Sequence, residues 1–371
     1  MKILYITTIS LTINAFFKPH IQALVKNGHT VDIACNLKDL ELDSLYDELK
    51  CKSYQVDFSR SPLSPDNLKA YSQLKKVIEN GEYDIVHCHT PNASMITRLV
   101  CRKLRKKTSL KVFYTAHGFH FFKGAPKLNW MIFYPIEKFC SRFTDKLITI
   151  NQEDFQLAKS KFKAKEICYV PGVGVDFSRF ENVSVDKAEK RKELGVSEDA
   201  FLLVSVGELS KRKNHEVILK AMAQLDDDRI HYILVGDGPL TQYLKDCARE
   251  LNISQRVHFL GYRKDVAQLY KTGDVCCFPS LHEGLPVALM EAMACGIPVL
   301  CSRIRGNVDL IKEDAGFLLE PHDIEGFAQA LRKMIDNEEL LNEFSAKNAS
   351  RLATFSKENA LKETLRLYDI Y

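Results

Sequence analysis

The sequence has no C-x-x-C pair, and its 11 cysteines are odd in number and scattered, with only Cys276 and Cys277 adjacent. That pattern argues against a zinc ribbon and against a secreted disulfide framework. Several cysteines sit in apolar runs (Cys35, Cys88, Cys276, Cys277, Cys301), where a thiol behaves as a small buried hydrophobe. A reducing cytoplasm is the expected compartment. No run reaches the roughly 18 apolar residues of a membrane span. The opening "MKILYITTISLTINAFF" is interrupted by Thr7, Thr8, Ser10, Thr12 and Asn14 and shows no small-residue cleavage pattern, so a signal peptide is not expected. There is no glycine between Met1 and Gly28, which argues against a dehydrogenase, whose G-x-G-x-x-G would belong after the first strand. No D-x-D stands between a strand and a loop, and the run Asp226, Asp227, Asp228 follows a helical pattern and reads as a solvated turn. Neither charge sign dominates: the net charge is +4, so an anionic partner is met by a local patch and not by a global field.

What is present is an ordinary soluble composition, 46% apolar and 27% charged over 371 residues, long enough for two domains. Short apolar runs alternate with helical patterns. "KILYIT" (2–7), "TVDIAC" (30–35), "DIVHCH" (84–89), "KVFYTA" (111–116) and "KLITI" (146–150) read as buried strands. Helices are expected between them near 15–27, 65–80, 92–106 and 129–143. The scheme repeats with "FLLVSVG" (201–207), "IHYILVG" (230–236), "RVHFLG" (256–261), "DVCCFPS" (274–280) and "IPVLCS" (297–302). Alternating β and α with near-continuous apolar strands predicts an α/β protein of two doubly wound, Rossmann-like parallel sheets facing across a cleft. The expected domains are 1–175 and 176–355, joined near 170–180, with a C-terminal helix (356–371) completing the first.

Ligands of doubly wound sheets bind beyond the carboxyl ends of the strands. The loops there include "HCHTPN", "AHGFH", "GELSKRKNH", "GDGPL", "GYRKD", "PSLHEGLP" and "SRIRGN". In "HEGLPVALMEAMACGIPV" (282–299), Glu283 and Glu291 stand with seven residues between them. Pro286 fits the first turn of a helix, whose free amides and dipole favour a phosphate. Glu291, five residues further on, lies roughly 8 Å along the axis at about 1.5 Å per residue. Carboxylates accept hydrogen bonds, which sugar hydroxyls donate. A ligand with a sugar, a phosphate and a ribose in that order would satisfy both acids and the helix end. An amphipathic helix with one capping and one exposed Glu produces the same spacing, so spacing alone leaves both readings open.

The same segment resembles the E-x7-E of the retaining transferases of glycosyltransferase family 4, which have the GT-B fold. Further marks follow in order: "VHCHTP" (86–91), "TAHG" (115–118), "GVDFSRF" (174–180), "VGELSKRKNH" (206–215), "VGDGP" (235–239), "FLGYRKDV" (259–266) and "FSKENALKETLRLY" (355–368). The start "TINAFFKPHIQALVKNGHTV" and the insert "GFHFFKGAPKLNWMIFYPIEKFC" resemble the bacterial exopolysaccharide, capsule and O-antigen branch.

The resemblance implies a metal-independent hexosyl- or N-acetylhexosaminyltransferase. It would move sugar from a nucleotide-sugar, UDP being typical of the branch, to a polyprenyl-diphosphate-linked glycan, with no cofactor. Glu283 would meet hydroxyls of the transferred sugar and Glu291 those of the ribose. Gly284, Leu285, Pro286 and Val287 would form the turn facing sugar and phosphate, and Lys213 would neutralise the diphosphate. The family usually has Arg where this chain has Glu208, so Arg212 is the candidate substitute. His117 would lie near the anomeric carbon, Gly236 and Gly238 would give close backbone approach, and Arg263 would sit where the base is read, largely through its backbone. The family's Gly-Gly after the first strand is missing, so Thr12 and Asn14 are expected to contribute side chains instead. His89 and Asn92 are assigned to the acceptor side. The basic stretch 98–111, with six basic residues in 98–107, and the aromatic stretch 128–143 read from sequence alone as a solvated helix face and a core helix; with the resemblance they imply a peripheral site on the inner face of the cytoplasmic membrane. The rivals are a non-catalytic nucleotide-sugar-binding protein on the same fold and another GT-B enzyme, an epimerase or an inverting transferase.

Overall fold

The computed structural model describes residues 1–61 and 64–369. The apolar runs form the centres of two all-parallel sheets, in two compact units: Met1–Gly174 with the chain from Glu358 on, and Val175–Lys357. In the first unit the strands are β1 (Lys2–Ile9), β2 (Thr30–Asn36), β3 (Ser53–Gln55), β4 (Ile85–Cys88), β5 (Lys111–Ala116), β6 (Lys146–Thr149) and β7 (Glu166–Tyr169), in the order β3-β2-β1-β4-β5-β6-β7. Register pairs Ile3 with both Val31 and Ile85, so the order reverses at β1/β4, where a doubly wound sheet opens a crevice. Alternate strand residues pack on opposite faces. Leu4, Ile6, Val86, Val112 and Leu147 belong to one buried cluster, and Ile3, Tyr5, Ile33, Ile85 and Ile148 to the other. Burial on both faces explains the near-continuous apolar strands.

The second unit holds β8 (Phe201–Val206), β9 (Ile230–Val235), β10 (Val257–Gly261), β11 (Val275–Phe278), β12 (Val299–Ser302) and β13 (Phe317–Leu319), in the order β10-β9-β8-β11-β12-β13, with the reversal at β8/β11. Where the chain enters and leaves this unit, Val175 and Ser356 form a parallel bridge, with Val175 N donating to Phe355 O at 3.1 Å and Lys357 N to Val175 O at 3.0 Å.

Four expectations are corrected. The helix expected over 15–27 is a π-helical turn, Ile13–Phe17, followed by a helix, Lys18–Lys26, with Pro19 in its first turn; proline has no N–H to continue a helix from the preceding residues. Pro286 is the N-cap, one residue before the helix Val287–Ala294, with extended backbone (φ −78°, ψ 114°). The aspartate run is not uniformly solvated: Asp228 is 97% exposed, but Asp227 is 10% exposed and holds Arg229 at 2.7 Å and Arg332 at 3.1 Å. The basic run 98–107 is not one solvent face either. Arg98 is fully buried in helix Pro91–Leu104 and pairs with Glu137 at 2.8 and 3.1 Å, and Arg105 pairs with Asp145. The run's exposed cations are Arg102, Lys103, Lys106 and Lys107.

Candidate functional site

The loop after β8 runs Gly207 to His215 into helix Glu216–Leu225, and it places Lys213 under the end of β11. Lys213 is 9% exposed, with its ammonium 4.4 Å from the Phe278 ring centroid. Burial pushes its pKa down, and the neighbouring Glu283 carboxylate pulls it back part of the way. Glu283 Oε1 accepts from Lys213 Nζ at 2.8 Å and from Arg212 Nη1 at 2.5 Å. The departure at Glu208, an exposed residue, is thus accompanied by a second cation one residue before the lysine. An ammonium carries three donors and a guanidinium five, so both cations keep hydrogens for an anionic ligand.

From Glu283 the chain passes through Gly284, Leu285 and Pro286 into helix Val287–Ala294. No side chain caps that helix and no acid lies in its first turn, so its leading amides remain available to an anion. Glu291 lies one helical turn further in. It is half-buried, makes no hydrogen bond or ion pair among the described residues, and has its carboxyl raised by burial, with Arg179 drawing it back. A buried carboxylate without a donor is costly, and ribose hydroxyls are the donors that such an acceptor lacks.

The turn at 284–286 is held from behind by residues that were not singled out in the sequence. Arg305, 6% exposed, donates from Nε to the Glu283 carbonyl at 2.9 Å. Gly306 has φ +80°, and a Cβ there would lie 2.5 Å from the Gly284 carbonyl oxygen. The signal was present in "SRIRGN", a strand-end loop with a glycine between two polar residues. Gly236 is similar: φ is +132° and a Cβ would meet Gly207 O at 2.2 Å. Gly238 packs on the Leu209 backbone. These close approaches hold the β8 and β9 loops together. The Arg263 guanidinium is committed elsewhere, to Asp265 at 2.6 and 2.8 Å and Glu193 at 2.7 Å. Nε and Nη2 are thus taken, which leaves Nη1 and the backbone for a base.

In the first unit, His117 directly follows β5 and is half-buried, with Nε2 3.5 Å from His89 Nδ1. Burial and the nearby His20 hold its pKa down at about 4, so it is neutral at pH 7. His89 is buried, with its ring 4.1 Å from that of His87 and 5.0 Å from that of Tyr5. His87 meets Thr115 Oγ1 at 2.8 Å and Tyr368 Oη at 2.5 Å, and Tyr368 reaches Tyr5 at 3.1 Å. Asn14 is occupied: Nδ2 donates to Glu41 O at 2.9 Å and Oδ1 accepts from Asp43 N at 3.1 Å. It pins the loop that carries them, and each amide atom keeps capacity for one further hydrogen bond. Thr12 lines a cavity with Asn92. Among the described residues no group of three or more His, Cys, Asp or Glu is arranged to hold a metal ion.

Residues 186–351 match the family model described as glycosyl transferases group 1, and residues 2–151 match the one described as glycosyl transferase 4-like. The chain is 34% identical to EpsD of Bacillus subtilis (strain 168), whose own glycosyltransferase assignment is provisional, over 100% of this chain and 97% of that one. It is 30% identical to the UDP-Gal:alpha-D-GlcNAc-diphosphoundecaprenol alpha-1,3-galactosyltransferase of Escherichia coli, over 82% of this chain and 79% of that one. Its fold matches sucrose-phosphate synthase of Thermosynechococcus elongatus with a TM-score of 0.79 and 22% identity, over 100% and 98% of the two chains. With two parallel α/β units of GT-B architecture and family matches to both halves, the chain belongs to the group 1, glycosyl transferase 4-like glycosyltransferases.

Proposed function

We propose that the chain transfers a hexosyl or N-acetylhexosaminyl group from a UDP-sugar to a hydroxyl of a polyprenyl-diphosphate-linked glycan in bacterial surface polysaccharide synthesis, with retention and without a metal. The observation that carries the reading is one helix end with an acid on either side. Glu283 sits against Arg212 and Lys213 before the helix, and Glu291 stands unpaired inside it. The UDP-galactose and diphosphoundecaprenol in the name of the Escherichia coli relative support the donor and acceptor classes.

Charge develops on the departing diphosphate, so fixed cations and amides aimed at it supply most of the catalysis. Arg212, Lys213 and the leading amides of Val287–Ala294 take that role. The bond from the anomeric carbon to the diphosphate oxygen breaks, and a bond to the acceptor oxygen forms on the same face. The acceptor's proton passes to the leaving phosphate. Neutral His117 serves as a hydrogen-bond partner to the sugar and not as a cation.

The membrane side of the reading rests on helix Lys127–Cys140. Leu128, Met131, Ile132 and Phe139 are 62, 73, 40 and 42% exposed, at spacings that put them on one helical face. Arg142 stands 6.0 Å from the Phe139 ring and Arg102 5.7 Å from that of Phe143. Apolar side chains rimmed by cations suit an anionic leaflet.

Calorimetric titration with UDP, GDP, ADP and dTDP tests the donor assignment. UDP is expected to bind and Glu291→Ala to lose that binding. Absence of binding by every nucleotide at millimolar concentration would sink the reading.

A further inference from the structure

Arg212, Lys213 and Glu283 form a group within the second unit in which one atom is shared. Glu283 accepts from Arg212 Nη1 at 2.5 Å and from Lys213 Nζ at 2.8 Å, and both bonds fall on Oε1. Lys213 and Glu283 stand 70 residues apart in the chain. Their loops are tied to each other by the backbone: Leu281 N donates to Arg212 O at 2.8 Å, and Asn214 Nδ2 donates to Pro279 O at 3.0 Å. The meeting of the three charges is therefore fixed by the fold.

Lys213 has little room to leave. Its ammonium lies 4.4 Å from the Phe278 ring centroid, and its Cε stands 3.2 Å from the place of a Cβ at Gly207. Burial disfavours its charge, and the Glu283 carboxylate restores part of it. A buried ammonium without a countercharge is costly. Glu283 supplies that countercharge, which a diphosphate would also supply. Its backbone is held at the carbonyl by Arg305 Nε at 2.9 Å. The carboxylate can thus leave the cations by turning about its own side-chain bonds while the turn stays in place.

A diphosphate set on Arg212 and Lys213 faces a carboxylate on the same donors, and like charges at that range repel. A sugar on the diphosphate changes the balance. Its hydroxyls donate to the carboxylate and hold it off the cations. Once the sugar has been transferred, that hold is gone and the terminal phosphate gains a second ionisation. Carboxylate and phosphate then contend for the same two side chains. We infer that Glu283 is a stand-in for the diphosphate, and that its competition for Arg212 and Lys213 makes the site favour the sugar-bearing nucleotide over the spent nucleoside diphosphate. The inference rests on the transferase reading and adds to it a discrimination between donor and product. A product held less tightly leaves sooner, and product release limits turnover in many enzymes.

The test is calorimetric titration of the full chain and of Glu283→Gln, which keeps the shape and removes the charge. The probes are inorganic pyrophosphate, UDP, UDP-glucose, UDP-galactose, UDP-N-acetylglucosamine and UDP-N-acetylgalactosamine. Pyrophosphate and UDP are expected to bind the variant roughly tenfold more tightly, the effect of removing one like charge at close range. The UDP-sugar that the unaltered chain binds best should bind the variant no more tightly. Equal or weaker binding of pyrophosphate and UDP by the variant overturns the inference, and so does an equal gain for the UDP-sugar. Pyrophosphate carries neither base nor sugar and reports on the cations alone. Its tightening, with no binding of any UDP compound, would overturn the transferase reading and the discrimination with it, and would leave the contest for the cations standing. A crystal structure of the unaltered chain with the preferred UDP-sugar needs no variant. Glu283 is expected on the sugar hydroxyls and off both cations; a carboxylate still bonded to Arg212 and Lys213 overturns the inference.

Discussion

Glu291 has an acceptor without a donor, and burial favours its neutral form in the free protein. Ribose hydroxyls favour the ionised form, so ligand binding lowers its pKa. Nucleotide affinity should therefore climb with pH until the pH passes the raised pKa of the free protein, and then level off. In Glu291→Gln the slope should vanish; a slope that persists would place the titrating group elsewhere. The sign for folding is opposite. A carboxyl raised on folding contributes stability that is present below its unfolded pKa and lost as pH rises through the folded one. Glu291→Ala removes charge-assisted hydrogen bonds of about 1.5–3 kcal/mol each, hence roughly tenfold to over a hundredfold in affinity, which calorimetry reads directly. Arg212→Ala should lower kcat more than it raises KM for the donor, because its charge matters most when the diphosphate departs. At this scale the positions of Glu283, Glu291 and Lys213 at strand-end loops and a helix start were legible, because residue type and spacing are sequence properties. Arg305 was not, because what it holds is a backbone carbonyl 22 residues away. The hold of Asn14 on its neighbouring loop was not legible, because its partners, Glu41 and Asp43, come from a segment that only folding brings beside it.

Among the elements, the turn before helix Val287–Ala294 depends on the next loop along the chain. Gly306→Ala puts a Cβ 2.5 Å from the Gly284 oxygen at φ +80° and should cost more than about 1 kcal/mol. Thermal unfolding checks the cost, and UDP titration checks that the displaced turn weakens binding as well. The two helices that carry the basic run and the aromatic stretch are joined by a buried pair. Arg98→Ala would leave Glu137 buried without its partner, which typically costs about 3–5 kcal/mol; urea unfolding reads it. Central strands were legible from their continuous apolar runs. Of the four edge strands Val257–Gly261 was legible as well, and Ser53–Gln55, Glu166–Tyr169 and Phe317–Leu319 were not. The latter are three or four residues long, too short for a periodicity to mark them. The basic run looked like a charged face because sequence does not show that Arg98 and Arg105 turn inward to acids 39 and 40 residues away.

For the molecule as a whole, the exposed face of helix Lys127–Cys140 predicts binding to anionic vesicles that grows with the anionic lipid fraction and fades with salt. Met131→Asp combined with Phe139→Asp should abolish it, and because both side chains are exposed (73 and 42%) the fold should be unaffected. Co-sedimentation at low salt decides; no binding by the unaltered chain would remove the membrane from the proposal. Two-unit organisation was legible from the repeated β/α series, and so was the return of the last helix. What the return brings with it was not legible: the Tyr368 hydroxyl, seated between His87 and Tyr5 in the first unit. That seat has a consequence for biosynthesis. On the ribosome the first unit emerges with β1 and β4 ready to pair, but the phenol that closes its histidine core arrives only after the entire second unit has been made. At about 5–20 residues per second, that delay is on the order of ten to forty seconds, during which a nascent half-protein holds an open core and is a natural client for chaperones.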